Sequence, residues 1–198
     1  MQKKVKKNPL VGESNPKKNR SIIKGLFLFS LVIACLWFLI CVKTHRIDGH
    51  SMEPTLINND RVLVFKKVAP KKRSLITFSP KDKPNSMYVK RVIGMPGDKI
   101  QLEQTSLTIF SAKNEKQKKV ALFEGDQPDG TTTIALSAEV ARLVEHLTEI
   151  PENKYFVLGD NRKKSRDSRQ LGLIDRSQIE GVVKYRYYPI STLGCIDE

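Results

Sequence analysis

Three groups of side chains have the types and settings that acyl-transfer chemistry requires. Ser51 lies in Gly49-His50-Ser51-Met52-Glu53-Pro54-Thr55-Leu56, and Lys90 lies in Tyr88-Val89-Lys90-Arg91-Val92-Ile93-Gly94. A polar loop then runs Gly159-Asp160-Asn161-Arg162-Lys163-Lys164-Ser165-Arg166-Asp167-Ser168-Arg169. A serine hydroxyl is a poor nucleophile until a base takes its proton. Gly49 before Ser51 and Pro54 after it impose a tight bend, which projects the hydroxyl and leaves backbone N–H groups free. Alone, a serine in a Gly/Pro turn is usually no more than a turn residue, so the question passes to the base.

His50 is adjacent to Ser51, and neighbouring side chains on an extended segment diverge, which makes a serine–histidine hydrogen bond awkward. His45 and His146 belong to no recognisable site. Arg91 keeps its proton and cannot act as a base. Lys90 is the better candidate. Strand alternation puts Tyr88, Lys90 and Val92 on one face and Val89, Arg91 and Ile93 on the other. A lysine in such company commonly snorkels to solvent. Once buried, it loses solvation, its pKa falls, and the neutral amine can accept the serine proton. From an ordinary value near 10.4, work at neutral pH requires a fall of roughly two to three.

A serine box, a strand lysine and a Gly-Asp-Asn-Arg loop, in that order behind one apolar segment, resemble the type I signal peptidases (peptidase family S26), in their small, single-anchor, Gram-positive-like form. The resemblance covers most of the chain after the apolar segment and is weakest over about 103–153. It implies a membrane-bound serine endopeptidase that removes signal peptides from secreted preproteins, cutting after small-x-small (Ala-x-Ala) sites. It assigns Ser51 as nucleophile and Lys90 as base. Ser165 matches the family serine that hydrogen-bonds and orients the lysine. Asp167 and Arg169 match an ion pair that braces the loop, and Gly159 and Gly172 fit backbone turns. Some members carry a serine hydroxyl two residues before the nucleophile, where this chain has Gly49. The oxyanion is then left mainly to the Ser51 backbone N–H, helped by the Gly49 backbone; one lost donor in such a hole costs about 10²–10³ in rate. The partners implied are secretory preproteins with their signal peptides, membrane lipid, and a protein translocase acting upstream. Met52 and Leu56, close to the nucleophile, are candidates for shallow pockets or for the membrane interface, with core packing as the default.

The elements that must position these residues begin with an anchor. Gly25 to Val42 is an uncharged run of 18 residues, just long enough to span a bilayer as a helix. Of the net charge of +14, the first 24 residues supply +7, with eight Lys/Arg against Glu13 alone; this leaves 27 basic and 20 acidic residues, +7, for the rest. A basic tail abutting an apolar span reads as a topology signal: amino terminus cytoplasmic, everything after Lys43 extracytoplasmic, one pass through the cell membrane. A cleavable signal peptide needs a small-x-small site just after its core, and Lys43-Thr44-His45-Arg46 follows instead. Cys35 as a lipidated cysteine is disfavoured because Leu36 to Val42 stay apolar. Cys35, Cys41 and Cys195 make no disulfide framework.

The expected organisation is a basic tail over 1–24, a transmembrane helix over 25–42 and an extracytoplasmic peptidase domain over 43–198, with 103–153 as a variable insertion. Roughly 150 residues outside the membrane suffice for one domain with a real core. Strands are expected at Arg61–Phe65, Leu75–Phe78, Met87–Ile93, Lys99–Leu102, Leu107–Phe110, Tyr155–Leu158 and Gly181–Tyr187, with a turn at Met95-Pro96-Gly97-Asp98. One helix outside the membrane is expected, capped by Ser137, with Val140, Leu143, Val144 and Leu147 at helical spacing and Pro151 as its stop. Lys113 to Lys119 is a charge run expected in a solvated loop. The fold class is mainly β, a partly closed β-barrel-type catalytic domain as in signal peptidases and self-cleaving repressors.

No zinc motif, paired Cys-x-x-Cys or phosphate loop is present, so neither a metal nor a cofactor is expected. Nucleic acid is not an expected partner, because the basic tail abuts an apolar span. A self-cleaving Ser–Lys repressor would need an amino-terminal DNA-binding domain, which residues 1–42 do not contain. The remaining alternative is a non-catalytic or dedicated-substrate assembly factor for surface structures. A non-catalytic one should have lost Ser51 or Lys90, and both are present.

Overall fold

The computed structural model describes residues 16–110 and 131–196, which divide between Ile40 and Cys41 into two compact units. The first holds most of helix α1 (Pro16–Cys41). Its stretch Lys24–Cys41 has a mean hydropathy of 2.3 over 18 residues. At 1.5 Å per residue that stretch is about 27 Å long, close to the ~30 Å of a bilayer's hydrocarbon core. Leu26, Phe27, Trp37 and Leu39 stand exposed around it, a bare apolar surface that lipid would cover. The helix ends at Cys41, one residue before the expected boundary, because Val42 already pairs as a strand residue.

The second unit is mainly β. Its larger sheet is antiparallel throughout and runs in the order β1 (Val42–Arg46), β2 (Arg61–Phe65), β10 (Ile179–Tyr188), β3 (Leu75–Phe78), β4 (Tyr88–Gly94), β8 (Lys154–Leu158) and β9 (Ile174–Asp175). A two-residue strand, β11 (Gly194–Cys195), pairs with β10. Register shifts in the β10–β2, β10–β3 and β4–β8 ladders bend the strands. The resulting curl lets Lys43 and His45 of β1 reach Glu180 of β10 at 2.5 Å each, although β2 lies between those strands in the ladder. This is the partial closure expected of a barrel-type domain.

A smaller sheet pairs β5 (Lys99–Glu103), β6 (Ser106–Phe110) and β7 (Thr131–Ala135). Strands β4 and β8 are buried on both faces. Ile93, Phe156 and Leu158 pack with Leu107, Ile109 and Ile134 of the small sheet, whereas Val92, Tyr155 and Val157 pack with Ile76, Phe78 and Val182. A third cluster joins Ile47, Met52 and Leu56 to Val62, Val64, Leu75 and Val183.

The expected strands all form, extended or shifted by a residue or two. Strands β1, β7, β9 and β11 were not anticipated. The first is polar, the second threonine-rich, and the last two are single dipeptides. Helix α2 (Ala138–Val144) starts where expected, with the Ser137 hydroxyl accepting from the Val140 N–H at 3.3 Å. It ends seven residues before Pro151 and leaves Leu143 exposed, because residues 148–150 run beside the 95–98 turn instead. Ile100 N–H donates to Thr148 O, Ile150 N–H to Asp98 O and Gly97 N–H to Ile150 O. The 95–98 turn itself forms, closed by Asp98 N–H to Met95 O at 3.0 Å, with Gly97 at φ +81°. The charge run Lys113 to Lys119 lies outside the described residues.

Candidate active site

Ser51 sits in the loop between β1 and β2, and that loop is tied at both ends. Ile47 N–H donates to Asp60 O at 2.8 Å and Asn59 N–H to Ile47 O at 2.9 Å. Between the ties, Met52 and Leu56 are buried in the third core cluster, 1% and 0% exposed. Core packing, the default reading of these two side chains, is what the structure shows. They anchor the loop, and only Met52 also touches the cleft wall. Gly49 takes φ +94°, a left-handed conformation that a glycine adopts without steric cost. Its N–H donates to the Asn58 amide oxygen at 3.0 Å. The Gly49 amide is therefore occupied, against the expectation that it helps to hold an oxyanion. Among the described residues, no group accepts from the Ser51 N–H.

Lys90 occupies a central strand, paired to Ile76 on β3, with Arg91 paired to Leu75 on one side and Leu158 on the other. It is 3% exposed, and its Nζ lies 2.7 Å from Ser51 Oγ. The amine also donates to the carbonyl of Val89 at 2.9 Å. That bond holds one N–H, so a neutral amine can turn its lone pair toward the serine. Burial pushes the Lys90 pKa down to about 8; Asp167 and Asp160 oppose the fall, and Arg169 adds slightly to it. The Tyr88 ring, with its centroid 5.5 Å from Nζ, shares the lysine's face as alternation requires. His50 is no rival, for its Nδ1 lies 2.6 Å from Glu53 Oε1 and its side chain is exposed.

The 159–169 loop is not the charged surface loop that its composition suggests. Asp160, Ser165, Asp167 and Ser168 are all buried. Asp167 caps the short helix α3 (Ser168–Leu171) in a capping box with Gln170, and its Oδ2 accepts from Gly159 N–H at 3.0 Å. The Asp167–Arg169 pair forms with two contacts, 2.8 and 3.0 Å, and Arg169 also donates to the carbonyls of Arg162 and Ser165. One guanidinium thus gathers three points of the loop. Ser165 differs from its expected role. Its hydroxyl is buried and has no hydrogen-bond partner among the described residues, Lys90 included. Gly172 turns the chain at φ +73°, as expected. Gly159 is required for a different reason from the expected turn: a Cβ there would lie 2.1 Å from Ser165 Oγ and 2.5 Å from the Ser51 carbonyl oxygen.

Several contributors were not singled out in the sequence. Arg91 donates to both carboxylate oxygens of Asp160, at 2.8 and 2.7 Å, and to the Arg73 carbonyl at 2.7 Å. This buried pair fastens β4, the strand that carries Lys90, to the 159–169 loop. The signal was present, since an arginine on the buried face of a strand requires a carboxylate partner. Asn161 N–H donates to Ser51 O at 3.1 Å, and Ser168 Oγ accepts from Val157 N–H of β8 at 2.9 Å. Asp167 and Gln170, three residues apart, carried the spacing of a capping box. A cleft of about 500 Å³ opens over Ser51 and Lys90, walled by His45 to Met52, Ser86 to Val89, Lys164 and Arg166. Among the described residues, no group of three His, Cys, Asp or Glu side chains is placed to hold a metal ion.

A mainly β domain behind an apolar helix, with a serine hydroxyl against a buried lysine amine, describes a class of membrane-anchored serine peptidase. Comparison with known proteins agrees. The family model for signal peptidase, peptidase S26, matches residues 20–188. Signal peptidase I of Bacillus licheniformis is 31% identical over 191 residues, covering 93% of this chain and 98% of that protein. Signal peptidase IB of Staphylococcus aureus is 36% identical over 154 residues, 76% of this chain and 80% of that one. The crystal structure of a signal peptidase I from Enterococcus faecalis aligns with 27% identity and a TM-score of 0.38, over 58% of this chain and 97% of that one. The chain belongs to the type I signal peptidases, the S26 family of serine peptidases.

Proposed function

We propose that this peptidase removes signal peptides from secreted preproteins after small-x-small sites, with Ser51 as nucleophile and Lys90 as general base. The observation that carries the reading is the 2.7 Å approach of Lys90 Nζ to Ser51 Oγ, at a lysine whose pKa burial lowers to about 8. The neutral amine takes the hydroxyl proton as Oγ attacks the scissile carbonyl. The oxyanion is met by the Ser51 N–H, the donor left without a partner at the site. Lys90 then passes its proton to the departing amine of the mature protein. Water enters and Lys90 takes its proton as the water oxygen bonds to the acyl carbon. The acyl–Oγ bond then breaks, Lys90 returns the proton to Ser51 Oγ, and the signal peptide leaves with a free carboxylate.

Asp167, Arg169, Gly159 and the Arg91–Asp160 pair are positioning residues in this reading: they hold the loop against the Ser51 carbonyl and fix the lysine's strand. Ser165, adjacent to Gly159, has an uncommitted hydroxyl for Lys90 once Ser51 is acylated. The basic tail 1–24 supports a cytoplasmic amino terminus, which leaves the catalytic unit outside the membrane and downstream of the translocase.

The test is mass spectrometry of a preprotein with an Ala-x-Ala site, incubated in detergent with the full chain and with Ser51→Ala. The expected result is one cut after the site by the wild type and none by the variant. A folded wild type that leaves several such preproteins intact would contradict the reading and favour a dedicated substrate.

A further inference from the structure

Apart from the Tyr88 phenol, seven side chains along the cleft carry an acidic or basic group, and six of them are basic: His45, Arg46, His50, Lys90, Lys164 and Arg166 face Asp48 alone. Three of the six have a carboxylate partner that does not line the cleft. Glu180 lies 2.5 Å from His45, Glu53 lies 2.6 Å from His50, and Asp82 lies 2.7 Å from Arg166. Arg46 differs, since it donates to the neutral amide oxygen of Asn59 through both Nε and a terminal nitrogen. Lys164 has no carboxylate within ion-pair distance among the described residues. With Lys90 neutral as the base, Arg46 at the end of β1 and Lys164 on the 159–169 loop outweigh Asp48.

We propose that this cleft selects its substrate by charge, favouring an Asp or Glu side chain within three residues of the scissile bond over a Lys or Arg, with Arg46 and Lys164 as the determinants. The inference rests on the signal-peptidase reading and adds a second specificity to its small-residue requirement. An extended substrate advances about 3.3 Å per residue, so three residues span about 10 Å, the scale of the cleft. The Debye length at 0.1 M salt is also about 10 Å, so a substrate charge in the cleft interacts with both cations instead of being screened from them. Protein walls on either side concentrate the field further. Neither residue belongs to the serine box, the base strand or the braces of the loop, so selection can vary without touching the chemistry.

The experiment uses the full chain in a non-ionic detergent and peptides with one Ala-x-Ala site. Single Asp, Asn or Lys residues are placed at each position within three of the cut that does not require a small side chain. The expected result is a preference in kcat/KM for Asp over Lys of about three- to tenfold at one or more positions in low salt, shrinking toward one as the Debye length falls to about 3 Å at 1 M. Arg46→Gln with Lys164→Gln should collapse that ratio, read relative to the Asn peptide, which reports any general damage. A ratio within twofold of one at every position, or one unchanged in the double variant, would overturn the proposal. Cleavage of the Asn peptide by wild type and not by Ser51→Ala keeps the peptidase reading intact in that event. Failure to cleave it would overturn the peptidase reading, and charge selection with it.

Discussion

Gly159 lies against the backbone of Ser51: a Cβ at this position would come within 2.5 Å of the Ser51 carbonyl oxygen, to which the Asn161 N–H donates at 3.1 Å. Two segments more than a hundred residues apart in sequence are thus set by one close approach. Gly159→Ala must push Ser51 or Ser165 away. A displacement of about 1 Å at a reacting group costs on the order of 10² in rate. The expected outcome is a loss of that size in kcat/KM, with the β signature retained by circular dichroism. Activity within threefold of wild type would show that the loop yields without moving Ser51.

The second prediction concerns pH. In the proposed dyad only a neutral Lys90 can take the Ser51 proton, and burial lowers its pKa to about 8. Below that value kcat/KM should fall about tenfold per pH unit, and above it the profile should level off. A profile whose acid limb lies well below 8 would contradict the lysine.

The same burial costs stability. Lys90 in the unfolded chain has its ordinary pKa of 10.5, so the unfolded state binds more protons between about 8 and 10.5. Its penalty is fully present below about 8, about 3 kcal/mol at 1.36 kcal/mol per pKa unit, and fades as pH rises to 10.5. Lys90→Met removes the charge at similar volume. It should unfold at a higher temperature than wild type at pH 7, with the gap closing by pH 10.5. Equal or lower stability at pH 7 would mean that the lysine is solvated.

Much of this arrangement could be read from the chain itself. Alternation in Tyr88 to Ile93 put Lys90 and Tyr88 on one face, and the bend at Gly49 and Pro54 marked the loop that carries Ser51. What could not be read were contacts between distant segments. The charges of Asp160 to Arg169 look like those of a solvated loop until Arg91, on a strand some seventy residues earlier, is seen to neutralise Asp160. Met52 and Leu56 look available for substrate until β2 and β10 cover them. Strand β7 escaped notice because Thr131 to Thr133 carry polar hydroxyls at positions where only Thr132 and Ile134 face inward. Ser165 shows the converse: a family role anticipated by position is not realised as a hydrogen bond among the described residues.

The Arg91–Asp160 pair gives a fourth prediction. Both groups are buried, and Asp160→Asn removes the carboxylate charge that faces the guanidinium at 2.7 Å. Breaking such a pair costs about 3–5 kcal/mol, which at about 2–4 °C per kcal/mol for a domain of this size lowers Tm by roughly 6–20 °C. Because Asp160 raises the Lys90 pKa, its loss should also shift the acid limb of the pH profile downward. Differential scanning calorimetry and the pH profile of the variant check the two effects separately. An upward shift of the limb would refute the electrostatic coupling.

The pairing of Ser51 with Lys90 is tested most directly by kcat/KM of Lys90→Met on an Ala-x-Ala preprotein at pH 8.5, with its thermal unfolding recorded alongside. A general base contributes about 10²–10⁴ in rate, so the variant should lose activity on that scale or fall below detection while remaining folded. A folded Lys90→Met that cleaves within tenfold of wild type would contradict the assignment of Lys90 as the base.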